Sequence, residues 1–317
     1  MGISVIIPVY NAEEFVAAAV LSALAINEVR QVILIEDRSP DNSLAICQDL
    51  VRQHPNLVEL HMHPDRRQLG AGASRNLGLE KAKEELVAFL DADDYYLPHR
   101  FDYPLELLRS RPDIDYVVSP SQLEHDYLTN SGRYTMMSEA ANNTTCNLFP
   151  ALLTERHGYF DTNSILIRAQ SLKRLSQLFN PTLTLHQDSE LWLRIAYKLR
   201  GYTENLTLPG SVVRRHSKNR ITHRNASSLS LYWDTVATEF QRREVHRTLA
   251  RFIRLKKKHY HYLRKNSPIS YLYLLYMQFY DAAVLPWADF WKTPADTSLP
   301  VGIGAQSLSE EPQHLFI

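Results

Sequence analysis

An α/β fold built on a mostly parallel sheet, with a helical carboxyl-terminal region, is the architecture this sequence predicts. Three observations predict it. Short apolar, β-branched runs alternate with helical stretches through the first 90 residues, acidic clusters follow two of those runs, and beyond about Asn225 the chain shifts to long helical stretches. Continuous apolar strands separated by helices mean parallel pairing with both faces covered. Ligands of such sheets sit at the carboxyl ends of the strands.

In chain order, Ser4 to Val9 is the first strand and stops at Pro8-Val9-Tyr10-Asn11, a turn. Ala12 to Ala25 reads as a helix with Phe15, Val20 and Leu24 inward. Val32-Ile33-Leu34-Ile35 is the second strand and ends in Glu36-Asp37. Ser43 to Gln53 is the next helix, Val58 to His61 the third strand, and Gly70-Ala71-Gly72 opens a helix running to about Lys83. Leu86 to Leu90 is a fourth buried strand, delivering Asp91-Ala92-Asp93-Asp94. Further on, Asn163 to Ile167 reads as a strand and Ser189 to Leu199 as a helix with Leu191, Trp192, Ile195 and Leu199 inward. Val212-Val213 leads an extended segment into Arg214-Arg215-His216, and the tail after Pro294 reads as loosely ordered.

Composition narrows the class. In 317 residues, 44% hydrophobic and 22% charged residues exclude a disordered or collagen-like chain. Lys+Arg 35 balance Asp+Glu 35, which argues against a general nucleic-acid binder. Cys47 and Cys146 cannot make a disulfide framework or a cysteine zinc site, so a reducing, cytoplasmic setting is expected. The chain enters a strand almost at once, without a basic leader. The sequons at Asn143 and Asn205 are then chance matches.

Three constellations carry chemistry. Asp91 and Asp93, on alternate residues at a strand end, can approach one hard cation, and oxygen-only ligation suits Mg²⁺ or Mn²⁺. The bland alternative is a solvated turn in which Asp94 caps the next segment. A phosphatase built on an early Asp-x-Asp-x-Thr is disfavoured, because Tyr95 takes the hydroxyl position and the motif is not on the first strand. Asp37 can accept hydrogen bonds from a uracil imide or a ribose hydroxyl, whereas Asp41 reads better as a helix N-cap. Gly70 and Gly72 allow backbone to approach a ligand, with Arg75 in reach of a phosphate, or they only permit tight helix packing.

Together, Val5-Ile6-Ile7-Pro8-Val9-Tyr10-Asn11, Glu36-Asp37-Arg38-Ser39-Pro40-Asp41, Ser74-Arg75-Asn76-Leu77-Gly78 and Phe89-Leu90-Asp91-Ala92-Asp93-Asp94 resemble, in order and spacing, the family 2 glycosyltransferases. The likeness spans about residues 3–222 and is specific as a set. It implies a GT-A fold, Rossmann-like, over residues 1–225, with residues 226–317 a mainly helical appendage. It also implies inverting sugar transfer from a nucleotide-sugar, most simply a UDP-sugar, to a saccharide or lipid-linked hydroxyl in surface polysaccharide or glycolipid synthesis. Carried over, Pro8, Tyr10 and Asp37 hold the nucleoside with Arg75 nearby, and Asp91 touches ribose and metal while Asp93 ligates the metal.

The same family expects an acidic pair before a helix reading Leu-Trp-Leu-Arg. Here Gln187-Asp188-Ser189-Glu190-Leu191-Trp192-Leu193-Arg194 matches, with Gln187 in place of the usual Glu and Asp188 as the catalytic base. An attacking hydroxyl must lose its proton, which requires such a carboxylate. Alternatively Asp188 only N-caps the helix, and Glu190 is a rival base or a surface residue. Arg214 and His216 match the family's Arg-x-His, contacts to diphosphate and metal. Two rival functions stay open at this point: a sugar-nucleotide pyrophosphorylase, whose glycine-rich phosphate loop Tyr10 to Glu14 does not resemble, and a catalytically silent nucleotide-sugar binder or scaffold.

Beyond the resemblance, Gln241 to Lys265 is strongly basic, with Val245, Leu249, Phe252, Ile253, Tyr260 and Leu263 on one face. That face either lies on an anionic membrane, as a peripheral contact on its inner side, or packs on the catalytic domain. Tyr271 to Ala288 is apolar but contains Gln278, Asp281 and Pro286, which argues against a span and for a packing or dimer surface.

Overall fold

The computed structural model describes residues 1–65, 67–124, 148–155, 160–203, 208–214, 225–241 and 245–285. Cys146, His216, the sequons at Asn143 and Asn205 and the tail after Pro294 lie outside the described residues.

The first half alternates as its apolar runs predict: β1 (Ile3–Val9), α1 (Val16–Leu24), β2 (Val29–Glu36), α2 (Ser43–Gln53), β3 (Val58–Met62), α3 (Ala71–Lys81) and β4 (Leu86–Phe89). These strands pair in the order β3-β2-β1-β4, all parallel. Alternation along β1 splits its side chains between two cores. Ile3, Val5, Ile7 and Val9 face one, shared with α1 and α2, while Ile6 faces the other with Ile33, Ile35 and Phe89. Strands β1, β2 and β4 are buried on both sides, which is why they read as continuous apolar runs, whereas the edge strand β3 is only half-buried.

Helix α1 starts four residues later than its periodicity predicts. The Phe15 and Val16 N–H groups both turn onto the Ala12 carbonyl, and the Ala12 and Glu13 N–H groups are taken by Ser43 Oγ and Asp41 Oδ2. Its buried residues are Val16, Ala19, Val20 and Ala23, and Phe15 turns toward the cleft described below.

The second half is mixed: β5 (Tyr95–Tyr96), α4 (Asp102–Ser110), β6 (Tyr116–Val118), β7 (Ser121–Leu123), α5 (Leu148–Thr154), β8 (Ile165–Arg168), α6 (Ala169–Leu172), α7 (Gln187–Lys198), β9 (Gly201–Thr203) and β10 (Ser211–Val213). Strand β8 extends the sheet beyond β4 but runs antiparallel to it, and β6 and β9 follow. Because β8 is reversed, its beginning lies at the same end of the sheet as the carboxyl ends of β1, β2 and β4. A small sheet, β5-β10-β7, stands beside the large one.

The carboxyl-terminal region forms α8 (Ala226–Gln241), α9 (Arg247–Arg264) and α10 (Ile269–Ala283). Trp233, Val236 and Phe240 of α8 and Leu249, Phe252 and Ile253 of α9 join the core that runs beneath α5 and α7 to the sheet. The apolar face of α9 is thus used in packing, and its exposed face carries Arg247, Arg251, Arg254, Lys257 and Lys258. No helix among the described residues is long and apolar enough to cross a membrane.

Candidate active site

A cleft of about 310 Å³ opens at the carboxyl ends of β1, β2 and β4. Pro8, Tyr10, Asp37, Arg75, Asp91, Asp93 and Asp188 all line it, so residues 180 positions apart in the chain converge as their motifs predict. Arg214 adjoins it directly after Val213, a lining residue. His216 lies outside the described residues.

At its foot the carboxylates of Asp91, Asp93 and Asp94 offer oxygens within 4.8 Å of one another. Asp91 receives Arg75 Nη2 at 2.6 Å. Asp94, 4% exposed, accepts from the Arg214 N–H at 2.8 Å and from Asn163 Nδ2 at 2.7 Å. It is not part of a solvated turn; it is a buried tie between the end of β4 and the end of β10. Burial lifts the Asp91 carboxyl above its ordinary range, Arg75 pulls it back, and the charges of Asp93 and Asp188 add to the lift. Burial, with Asp93 and Asp91, lifts Asp94 further. Crowded carboxylates of this kind are relieved by a bound cation, and an all-oxygen donor set of this charge fits Mg²⁺ or Mn²⁺.

One side of the cleft is built by two tied loops. Asn11 (φ 53°) and Arg38 (φ 60°) turn β1 and β2 away from the sheet in the left-handed region, and the Asn11 N–H donates to Ser39 Oγ at 3.2 Å. Asp41 sits one residue before the cap position of α2, which Asn42 occupies, yet it does the capping, accepting from the Ser43 N–H and hydroxyl. Burial acts to raise the Asp41 carboxyl, but the hydrogen bonds from Ser43 and Glu13 outweigh it and hold it low. Asp37, 2% exposed, accepts the Leu69 N–H on one oxygen and the Gly70 N–H on the other, both at 2.7 Å. It therefore fixes the loop that enters α3 as well as lining the cleft. Gly70 has φ 87°, the left-handed region that favours glycine. At Gly72 a Cβ would come within 2.5 Å of Gln187 Oε1, so this glycine admits the first turn of α7 rather than a ligand.

Asp188 stands in that first turn, accepting the Ser189 N–H at 2.7 Å. It is not the N-cap residue: His186 holds that position at φ 61°. Glu190 is neither a rival base nor a surface residue. It is 3% exposed and forms a two-bond ion pair with Arg194, both bonds 2.7 Å, away from the cleft. The guanidinium of Arg214 lies over the Tyr95 and Phe15 rings, 4.6 and 5.6 Å from their centroids, and donates to the Asp93 carbonyl at 3.3 Å.

One site residue escapes sequence reasoning. Asn163, fully buried, accepts the Asp91 N–H at 2.9 Å with Oδ1 while its Nδ2 holds Asp94. Its carbonyl in turn receives the buried guanidinium of Arg100. A lone Asn before a short strand carries no signal of this; the reversed direction of β8 places it there.

An acidic cluster and a helix-borne carboxylate thus meet in one cleft at the carboxyl edge of a parallel half-sheet. Residues 4–168, just over half of the chain, match the family described as Glycosyl transferase family 2, and the protein belongs to that family of glycosyltransferases. An uncharacterized glycosyltransferase of Haemophilus influenzae is 29% identical over 180 residues, 55% of this chain and 64% of that protein. The minor teichoic acid biosynthesis protein GgaB of Bacillus subtilis is 32% identical over 121 residues, 37% of this chain and 13% of that one. The chain spans between about a third and two thirds of the length of the first curated relatives it matches. In fold it is similar to Staphylococcus aureus TarS 1-349 in complex with UDP (TM-score 0.61, 18% identity, 83% of this chain and 72% of that one). It is also similar to the mannosyltransferase PcManGT of Pyrobaculum calidifontis in complex with GDP-Man and Mn²⁺ (TM-score 0.57, 16% identity, 90% and 75%).

Proposed function

We propose that this glycosyltransferase moves a sugar, with inversion and with a divalent metal, from a nucleotide-sugar donor to a hydroxyl acceptor of a surface polysaccharide or glycolipid, and that the donor carries UDP. The observation that carries the reading is the meeting of Asp91, Asp93 and Asp94 with Asp188 in one cleft. The solved complexes of TarS with UDP and of PcManGT with Mn²⁺ support the nucleotide and the metal, and the teichoic acid relative supports the acceptor class.

Asp91 and Asp93 would hold the Mn²⁺ or Mg²⁺, joined by His216. Bound there, the cation neutralises charge on the departing diphosphate. Pro8, Tyr10 and Asp37 hold the nucleoside, and Arg75 keeps Asp91 in place. Arg214 supplies the positive charge beside the diphosphate. Asp188 takes the proton of the acceptor hydroxyl as that oxygen bonds to the anomeric carbon. The bond to the diphosphate oxygen breaks with its electron pair, and attack from the opposite face inverts the centre. In this reading residues 1–225 are the transferase domain and residues 226–317 an appendage, whose described residues form α8, α9 and α10. A cytoplasmic setting agrees with Cys47, a buried free thiol that burial pushes up to about 12. Peripheral membrane contact would use the exposed basic face of α9.

Release of UDP from a panel of UDP-sugars with Mn²⁺, with and without EDTA, tests the reading, alongside proton NMR of the anomeric product. Metal-dependent UDP release and an inverted product are expected. A product with the donor's configuration overturns inversion, and undiminished turnover in EDTA overturns the metal.

A further inference from the structure

Helix α10 is apolar on both sides. Met277 and Tyr280 are buried in the core below. On the opposite side, Ile269, Tyr271, Leu272, Leu275, Tyr276 and Phe279 form a continuous stripe at helical spacing, 37–70% exposed. A helix apolar all round belongs in an apolar setting, and a stripe of this kind on a protein surface marks an interaction site.

The charges around it select the partner. From residue 245 to 280 the chain holds eight Lys and Arg and no Asp or Glu. Two of these cations reach the tyrosines of α10: Arg251 donates to the Tyr276 hydroxyl and lies 5.5 Å from its ring centroid, and Lys258 Nζ lies 5.7 Å from the Tyr273 ring centroid. Arg254, Arg264 and Lys265 of the same hairpin are exposed. By contrast, Lys257 pairs with Asp234 at 3.2 Å and Lys256 lies over Trp233 and Phe252, so neither is a main contributor. An aromatic and aliphatic stripe bordered by cations matches the boundary between acyl chains and anionic headgroups. A second copy of the chain fits poorly, because a two-fold pairing through the stripe would set two such cationic borders against each other.

We propose that the outer stripe of α10 inserts into an anionic membrane surface, with the α9–α10 cations holding the headgroups. The proposal rests on the peripheral contact assigned to the basic face of α9 and adds the element that penetrates. Full-length protein is floated with phosphatidylcholine vesicles with and without phosphatidylglycerol, at low and high salt. Binding is expected with phosphatidylglycerol only, weakened by salt. Leu272→Ser with Phe279→Ser, both exposed and remote from the cleft, should lower partitioning about tenfold or more, with melting temperature and UDP affinity unchanged. Arg254→Ser with Lys258→Ser should remove the dependence on phosphatidylglycerol. If the Leu272→Ser, Phe279→Ser variant floats like the parent, insertion by α10 is overturned while electrostatic contact by α9 stands. Absence of binding to any vesicle overturns both. A dimer detected by light scattering and dissolved by the same two substitutions assigns the stripe to a second copy and overturns the lipid reading.

Discussion

Asp188 and Glu190, two residues apart on one helix, have opposite fates. Asp188→Asn keeps the Ser189 hydrogen bond and the shape of the first turn of α7 but removes basicity. Turnover should fall by roughly 10²–10⁴-fold, with donor affinity and melting temperature nearly unchanged, as steady-state kinetics and calorimetry would show; near-normal turnover rules out Asp188 as the base. Because His186 and not Asp188 holds the cap position, a stability loss will not imitate the kinetic one. Glu190→Gln should do the reverse. Leaving Arg194 buried without its counter-charge costs about 3–5 kcal/mol, read as a lower urea midpoint, while turnover per folded molecule holds. The sequence pattern misplaces Glu190 because a charged residue one turn into an amphipathic helix usually meets solvent. Only the three-dimensional fold buries it together with Arg194. Asn163→Ala should destabilise by about 1–3 kcal/mol, since Asp94 loses a buried donor, and should also weaken metal-dependent nucleotide binding by displacing Asp91. Loss of stability alone, with metal response intact, would reduce Asn163 to scaffolding.

At the scale of elements, the parallel half was legible and the antiparallel addition was not. Strands β1, β2 and β4 announce themselves as continuous apolar runs between helices, the edge strand β3 as an alternating one, and helix α2 falls on the residues its periodicity selects. Nothing local distinguishes a strand that runs against its neighbour, so the direction of β8, and with it the place of Asn163, was beyond the pattern. The turn entering β8 also holds Asp161, whose Oδ2 is buried without a hydrogen-bond partner. Burial raises its carboxyl to about 6, outweighing the hydrogen bonds of Ser121 and Ser164 that lower it. A carboxyl raised above its unfolded value is favourable while protonated. Stability should therefore decline as pH rises from about 4, where the unfolded chain begins to ionise, to about 6, and level off above. Urea unfolding at closely spaced pH values would show this slope in the parent and a shallower one in Asp161→Asn, the remainder coming from the raised Asp91 and Asp94 carboxyls; parallel curves would deny it. The spacing of apolar residues in α9 shows an amphipathic helix, and the structure buries that face. Which neighbour takes its apolar face depends on α8 and α10, long-range contacts that one-dimensional periodicity does not contain.

For the whole molecule, the acidic cluster predicts a single overriding ligand. Nucleoside diphosphate should bind at least tenfold more tightly with Mn²⁺ or Mg²⁺ than with EDTA, and Asp93→Ala should abolish most of the difference by calorimetry. Equal affinity in both conditions would remove the metal from the cleft. The motifs converge because a doubly covered parallel sheet brings its loops to one edge, and that much follows from strand order. The remaining half of the cleft's framework is supplied by partners distant in the chain.

That distance has a consequence for how the protein comes into being. The amide of Asp91 is tied to a side chain 72 residues later, and Asp94 to a backbone N–H 120 residues later. As the nascent chain leaves the ribosome at about 5–20 residues per second, the β1–β4 layer is complete roughly 6–24 s before the Arg214 segment has been synthesised. During that interval the three carboxylates stand together without the clamp that later seats them. A chain cut short before residue 214 would carry the β1–β4 edge of the fold without the tie that seats Asp94, and on the proposed function such a chain should show no turnover.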